Sequence, residues 1–311
     1  MAAELKVGIG FPGNMVGARD PGELDQWLDA VVEAGYQYVS LGDHVLNLDP
    51  SGLSEARVAQ WQRNFVGVDA KAPYDNRVIF REPFVLGTYF AGRCSLDIAT
   101  GVLVLPQRQT ALVAKQAAEV DILSRGRLRL AIGVGWNALE YSALGVPFEE
   151  RQNIMEEQMV LLRKFWTEPI VNFEGKYHSV ESSGIQVLPA RPIPLWIGGD
   201  GPRSLDRIGR LADGWLPPGR VRPGDDAAAK SAVIRAAAEK AGRDPEAIGV
   251  EAQLFLSRCR TPEEIDGFVR AWRPHGLTHV KIETRGADPG GSVETHIALL
   301  REVDLDRVRR A

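Results

Sequence analysis

Cysteine occurs only twice in the 311 residues, at Cys94 and Cys259, far apart in sequence. Two distant thiols do not make a disulfide framework, so each reads as a small buried hydrophobe and the chain is expected in a reducing cytoplasm. Positive charge is not in excess: 37 Lys and Arg against 41 Asp and Glu leave a net charge of −4. That balance gives no basic footprint and excludes nucleic acid as the expected partner. No apolar run approaches the roughly 18 residues a membrane span needs, and the start, Met-Ala-Ala-Glu-Leu-Lys, lacks the features of a secretory signal. Histidine is scarce, with five in all. His275 and His279 have metal-like spacing, but Pro274 and Gly276 break any helix between them, and no cysteine or glutamate cluster completes a ligand set. His178 and His296 stand alone. A metal site is therefore not expected. Neither a nucleophile elbow nor a Walker sequence occurs.

What is present is alternation. Short apolar runs at Lys6 to Phe11, Tyr38 to Leu41, Leu96 to Val104, Leu128 to Ile132, Leu195 to Ile197, Gly214 to Leu216, Ile248 to Leu256 and His279 to Ile282 read as strands. Between and after them lie helical patterns, such as Leu24, Trp27, Leu28, Val31 and Val32, closed by Gly35. Thr110 is placed to cap the helix that runs to Leu123, and Val293 to Val303 reads as the last helix. Eight strand-helix pairs imply a parallel sheet closed into a (β/α)8 TIM barrel, an α/β fold, with an open doubly wound sheet as the alternative. No linker or repeat divides the chain, so residues 1 to 311 read as one domain. Two segments interrupt the alternation, at about 46–81 and 173–194; the second contains a hairpin signal at Glu174-Gly175. Long loops in compact domains are usually functional, and the first follows the C-terminal end of a strand, over the expected active face.

Candidate chemistry gathers at strand ends. Gly133-Val-Gly135-Trp136-Asn-Ala138 has the spacing of a dinucleotide fingerprint. That mechanism needs an acid about 20 residues on, at the end of the next strand. The acids there, Glu156 and Glu157, fall inside a helical pattern, so the dinucleotide reading fails. What remains is a strand end that lets something large approach the backbone. Asp43-His44 stands where the second strand leaves the barrel; imidazole there is suited to proton exchange near neutral pH, although a capping Asp and a half-buried His would look the same. Gly101, followed by Val102, interrupts an apolar strand and marks a bulge, a close backbone approach or simply a strand end. Gly198, Gly199, Asp200, Gly201 and Ser204 lie between a strand and a helix, where backbone N–H groups suit a phosphate. The usual barrel phosphate site follows strands seven and eight, so a site after strand five departs from the common pattern.

These segments together resemble the luciferase-like flavin and deazaflavin oxidoreductases. The likeness rests on Gly42-Asp-His-Val45, Thr100 to Pro106, Leu123-Ser-x-Gly-Arg127, Gly133 to Asn137, Ala143-Leu-Gly145, Phe173-Glu-Gly175, Pro192 to Gly199 and Ala212-Asp-Gly-Trp215, in the family's order. It implies a barrel, often dimeric, that binds coenzyme F420 or FMN at the strand ends, and the Asp-His pair favours the F420 branch. On that resemblance His44 lies near the reacting C5 as the catalytic residue, with Asp43 supporting it. Gly101-Val102 becomes a cis peptide behind the ring, Gly135 and Trp136 line the ring, and Gly198 to Gly201 hold the phosphate. Arg125 departs from the family, which often has glycine there, and residues 46 to 77 match poorly, so the small-molecule substrate is not implied. The reading is a hydride-transferring, F420-dependent oxidoreductase. Its rivals are an FMN-dependent monooxygenase and a noncatalytic cofactor carrier.

Overall fold

The computed structural model describes residues 4–13, 20–47, 49–64, 79–285 and 292–311. In chain order its elements begin with β1 (Lys6–Gly10), α1 (Pro21–Glu33), β2 (Tyr38–Leu41), α2 (Glu55–Asn64), α3 (Pro83–Arg93), β3 (Asp97–Thr100), β4 (Leu103–Val104) and α4 (Thr110–Leu123). They continue through β5 (Leu128–Gly133), α5 (Ala138–Ala143), α6 (Arg151–Thr167), β6 (Val171–Glu174), β7 (Ser179–Ser183), β8 (Leu195–Gly198), α7 (Pro202–Leu211) and β9 (Gly214–Leu216). The last are α8 (Asp225–Lys240), β10 (Gly249–Phe255), α9 (Pro262–Trp272), β11 (Leu277–Glu283), α10 (Val293–Arg301) and α11 (Leu305–Arg310).

Local chemistry starts and stops the helices where the sequence suggests. Asp20 accepts from the Gly22 N–H at 2.8 Å and Pro21 opens the first turn of α1, while α9 starts on a capping box of Thr261 and Glu264. Thr110 is not the cap of α4: Gln109 holds that position, and the Thr110 hydroxyl instead meets His178 Nε2 at 2.7 Å.

All strand pairings of the large sheet are parallel, running β3-β2-β1-β11-β10-β9-β8-β5-β4, and β3 also pairs with β5. The extra pairing closes the sheet into a barrel, as the alternation predicts. β3 and β4 together form the third stave. The sequence predicts one strand from Leu96 to Val104; the structure divides it at a cis peptide bond between Gly101 and Val102. The open-sheet alternative is thereby excluded. The final helix is shorter than expected and a further one, α11, follows it. The segment 46–81 is not only loop, since it contains α2; Leu48 and residues 65–78 lie outside the described residues. β6 and β7 form the expected hairpin.

Alternate strand residues face the helices. Val7, Ile9, Val39, Leu41, Ile98, Leu130, Ile132 and Ile197 are fully buried in one cluster with helix residues such as Leu28, Val31, Phe90 and Ala114. Burying each such aliphatic side chain contributes roughly 1.5–3 kcal/mol, which makes this layer the main source of stability. The barrel's interior differs. Its lower end is filled by Arg129, whose guanidinium lies 4.4 Å from the Trp196 ring centroid and 5.0 Å from that of Tyr38, and pairs with buried Glu251. His279 packs edge-on to both rings. Above this plug Ala131, Trp196 and Leu216 make a small apolar layer against which Val102 packs.

Candidate active site

The C-terminal strand ends form the other mouth of the barrel, and the predicted site residues on β2, β4, β5 and β8 all come to it. Val102 is its floor. Cβ atoms added at Gly133 and Gly198 would each lie 2.7 Å from a Val102 methyl, so the isopropyl group occupies the hollow between these two glycines. Gly101 has the buried Ser40 hydroxyl and the Lys281 ammonium where its own side chain would be. Gly10 is backed by the Glu283 carboxylate, 2.5 Å from a Cβ position. Glycine on four strand ends thus lets interior side chains rise to the rim and leaves a shallow surface with half-buried Val102 at its centre.

His44 stands at the side of this floor. Its ring is edge-on to Phe80 at 4.8 Å and to Trp136 at 5.9 Å, so Trp136 stands beside the imidazole at the mouth. Gly135 takes a positive φ of 65°, and Val104 would collide with any side chain there. The carboxylate that meets His44 is not Asp43. His44 Nδ1 lies 3.1 Å from Oε2 of Glu140, whose other oxygen accepts from the Val45 and Leu46 N–H groups at 2.6 and 3.0 Å. Burial opposes ionisation of Glu140, but the hydrogen bonds from His44 and Leu46 outweigh it and hold the carboxyl below its ordinary range.

Asp43 turns the other way. It accepts from the Val104 N–H at 3.0 Å and from Arg108 at 2.8 Å, and Arg108 also reaches Glu82. The expectation that Asp43 supports His44 is corrected: adjacent backbone positions point to opposite sides, so the pair divides. Asp43 secures the strand just after the cis bond, while His44 is held by α5.

Glu140 escapes the sequence reading because Asn137-Ala-Leu-Glu140 has capping-box spacing, which assigns the glutamate to its own helix. Asn137 does cap α5, accepting from Leu139 and Glu140, but the Glu140 carboxylate leaves the helix for the loop after β2. A fully formed strand-turn-helix signal with a buried acid in its first turn was the available clue. Arg108 likewise carried no signal.

On the far side, Gly198, Gly199, Asp200 and Gly201 make the turn into α7. Gly199 has φ +151°, and the Ser204 hydroxyl lies 3.0 Å from its Cβ position. Ser204 is 8 % exposed, and among the described residues no side chain caps this helix. The exposed first-turn N–H groups, a buried hydroxyl and a backbone without side chains suit an oxyanion. Asp200 does not add to that: it pairs with Arg220. Arg125 sits at φ 59°, so the arginine occupies a left-handed turn position where glycine is the ordinary choice. The remaining histidines have structural partners: His178 bridges Glu157 and Thr110, His275 accepts from the Gly224 N–H, and buried His296 meets Thr284. An apolar floor, an aromatic wall beside an imidazole and an anion-ready turn fit a planar ring that carries a phosphate.

The fold and mouth define a barrel enzyme that works at its strand C-termini. The luciferase-like monooxygenase family matches residues 13–296, and the chain belongs to that family and with it to the oxidoreductases. It is 30% identical over 270 residues to a phthiodiolone/phenolphthiodiolone dimycocerosates ketoreductase of Mycobacterium kansasii, covering 81% of this chain and 70% of that protein. It is 28% identical over 288 residues to the F420-dependent glucose-6-phosphate dehydrogenase of Gordonia bronchialis, covering 89% and 76%. An F420-dependent secondary alcohol dehydrogenase in complex with an F420-acetone adduct superposes with a TM-score of 0.73 at 16% identity, over 98% of this chain and 99% of that one. Among the described residues no helix is long and apolar enough to cross a membrane.

Proposed function

We propose that the protein is a coenzyme F420-dependent oxidoreductase acting on a carbonyl or alcohol carbon of an organic substrate. The observation that carries this reading is the His44–Glu140 pair at the edge of the Val102 floor. When bound, a deazaflavin supplies a hydride donor or acceptor at C5. Val102 would back the ring, with the imidazole, edge-on to Trp136 and Phe80, at its side. Glu140 holds Nδ1, so His44 exchanges its proton with the substrate oxygen through Nε2. The first turn of α7 would offer backbone N–H groups to the phosphate and Ser204 its hydroxyl, while Gly198 and Gly199 leave the approach open, the Gly199 N–H itself donating to the Leu216 carbonyl at 3.4 Å. Asp200 takes no direct part, because Arg220 neutralises it.

The named activities of similar proteins favour F420, since both a dehydrogenase relative and a superposed alcohol dehydrogenase use it. The two unpaired cysteines agree with work in a reducing cytoplasm. The chain pairs with a second copy, a reading supported by exposed Val85 on α3 and Leu112 and Leu123 on α4; sedimentation at micromolar concentration tests it.

Fluorescence titration of purified protein with coenzyme F420 and with FMN tests the main reading. The expected result is tighter binding of the deazaflavin and its reduction by an alcohol. Preferred FMN binding, with oxygen consumed when FMN is reduced, would establish the monooxygenase instead. Tight binding without turnover across a substrate panel would establish a carrier.

A further inference from the structure

Gln107 ends the short turn Leu105–Gln107 that follows β4, on the same mouth as His44. It is 7 % exposed, yet among the described residues neither its Oε1 nor its Nε2 has a hydrogen-bond partner. Buried polar atoms are paired in the great majority of cases, so two orphans on one side chain call for an explanation. The amide lies close enough to Glu140 to help hold that carboxyl in its ionised form, but it is not aligned for an ordinary hydrogen bond.

The acceptor capacity of Glu140 shows where the amide belongs. A carboxylate offers about four lone-pair directions. The Val45 and Leu46 N–H groups take those on Oε1, and His44 Nδ1 takes one on Oε2. One direction on Oε2 remains, and Gln107 is the further side chain that bears on this carboxylate. On the same loop cluster Asp43 and Arg108 are committed to each other, and Tyr141, next to Glu140 on α5, gives its hydroxyl to the Val134 carbonyl.

We propose that Gln107 is a positioning residue for the His44–Glu140 pair: its amide N–H closes onto the remaining lone pair of Glu140 and keeps that carboxylate an acceptor for His44 Nδ1–H. The proposal rests on the reading that His44 exchanges the proton of the reaction. Without the amide, Glu140 takes up a proton at higher pH. A protonated Glu140 can donate to Nδ1, which moves the imidazole hydrogen to Nε2 and leaves the wrong tautomer facing the substrate.

The test uses Gln107→Leu, which keeps nearly the same volume, and Gln107→Glu, which restores a donor only when protonated. In cofactor-free protein, 15N spectra of His44 should show the Nδ1–H tautomer in the parent and a shift toward Nε2–H in Gln107→Leu. In the holoenzyme, kcat should fall about tenfold with KM nearly unchanged, and the acid limb of the kcat profile should move up by about one pH unit. Gln107→Glu should regain activity relative to Gln107→Leu as the pH falls. Unchanged His44 spectra and an unchanged pH profile in Gln107→Leu would overturn the proposal and leave Gln107 a space-filling residue. If the spectra shift but the parent shows no F420-dependent turnover, the positioning role stands and the hydride-transfer reading fails.

Discussion

His44 and Glu140 are 96 positions apart in the chain and 3.1 Å apart in space, and the glutamate also binds the two backbone N–H groups that follow the histidine. One carboxylate therefore sets both the path of the loop and the orientation of the ring it carries. His44→Ala should lower the rate of cofactor reduction by ~10²-fold or more, the usual cost of losing a placed proton-transfer group. Cofactor affinity should change far less, because the proposed ring and phosphate contacts lie elsewhere. Stopped-flow reduction and equilibrium titration on the same variant check both halves; lost affinity with normal turnover per bound cofactor makes His44 a binding residue.

Glu140→Gln keeps an oxygen for His44 but removes the charge. The rate should fall by about tenfold, less than for His44→Ala, because a charge-assisted hydrogen bond is roughly twice as strong as a neutral one. Equal losses in the two variants would mean that Glu140 acts by holding the loop's shape alone.

Val102 and Gly133 should be energetically coupled. Gly133→Ala places a methyl 2.7 Å from a Val102 methyl and should destabilise the barrel by about 1–3 kcal/mol. In a Val102→Ala background most of that penalty should vanish. Urea unfolding of the four proteins of the cycle measures it, and additive effects would show that the floor is not close-packed.

Most of the barrel was legible because its signal is repetitive: short, largely apolar strands such as β1, β2 and β5 alternate with helical patterns, and each reinforces the next. The broken third stave was not, since Leu96 to Val104 is apolar throughout and periodicity carries no information about a cis bond at Gly101-Val102. At the site, glycines and His44 announced themselves by residue type. The partnership of His44 did not, because burial and direction decide which carboxylate meets an imidazole. Asp43 was the neighbour in sequence and Glu140 the neighbour in space.

At the turn after β8, Gly199→Val should weaken binding of a phosphate-bearing cofactor strongly, because Ser204 already stands 3.0 Å from the Cβ position. Ser204→Ala should cost less. Riboflavin, which lacks the phosphate, serves as the control against FMN. Equal effects on both ligands would place the phosphate away from this turn.

His279 makes the fold sensitive to acid. Burial, with Arg129 and Lys6 nearby, lowers its pKa from 6.5 to about 2. The folded protein keeps the ring neutral while the unfolded chain takes up a proton below about pH 6.5. Stability from this site is therefore complete above that pH and declines as the pH falls toward 2, by up to about 1.4 kcal/mol per unit. Urea midpoints between pH 7.5 and 5 should fall less steeply in His279→Gln than in the parent; identical slopes would locate the acid sensitivity in another group.

The Arg129 plug, clamped between Tyr38 and Trp196 and tied to Glu251, fills the barrel beneath the Val102 floor, so a ligand on that floor meets the protein from one side. A cofactor laid against Val102, as proposed, would turn its other face to the substrate, and a bound product would then shield that cofactor from exchange.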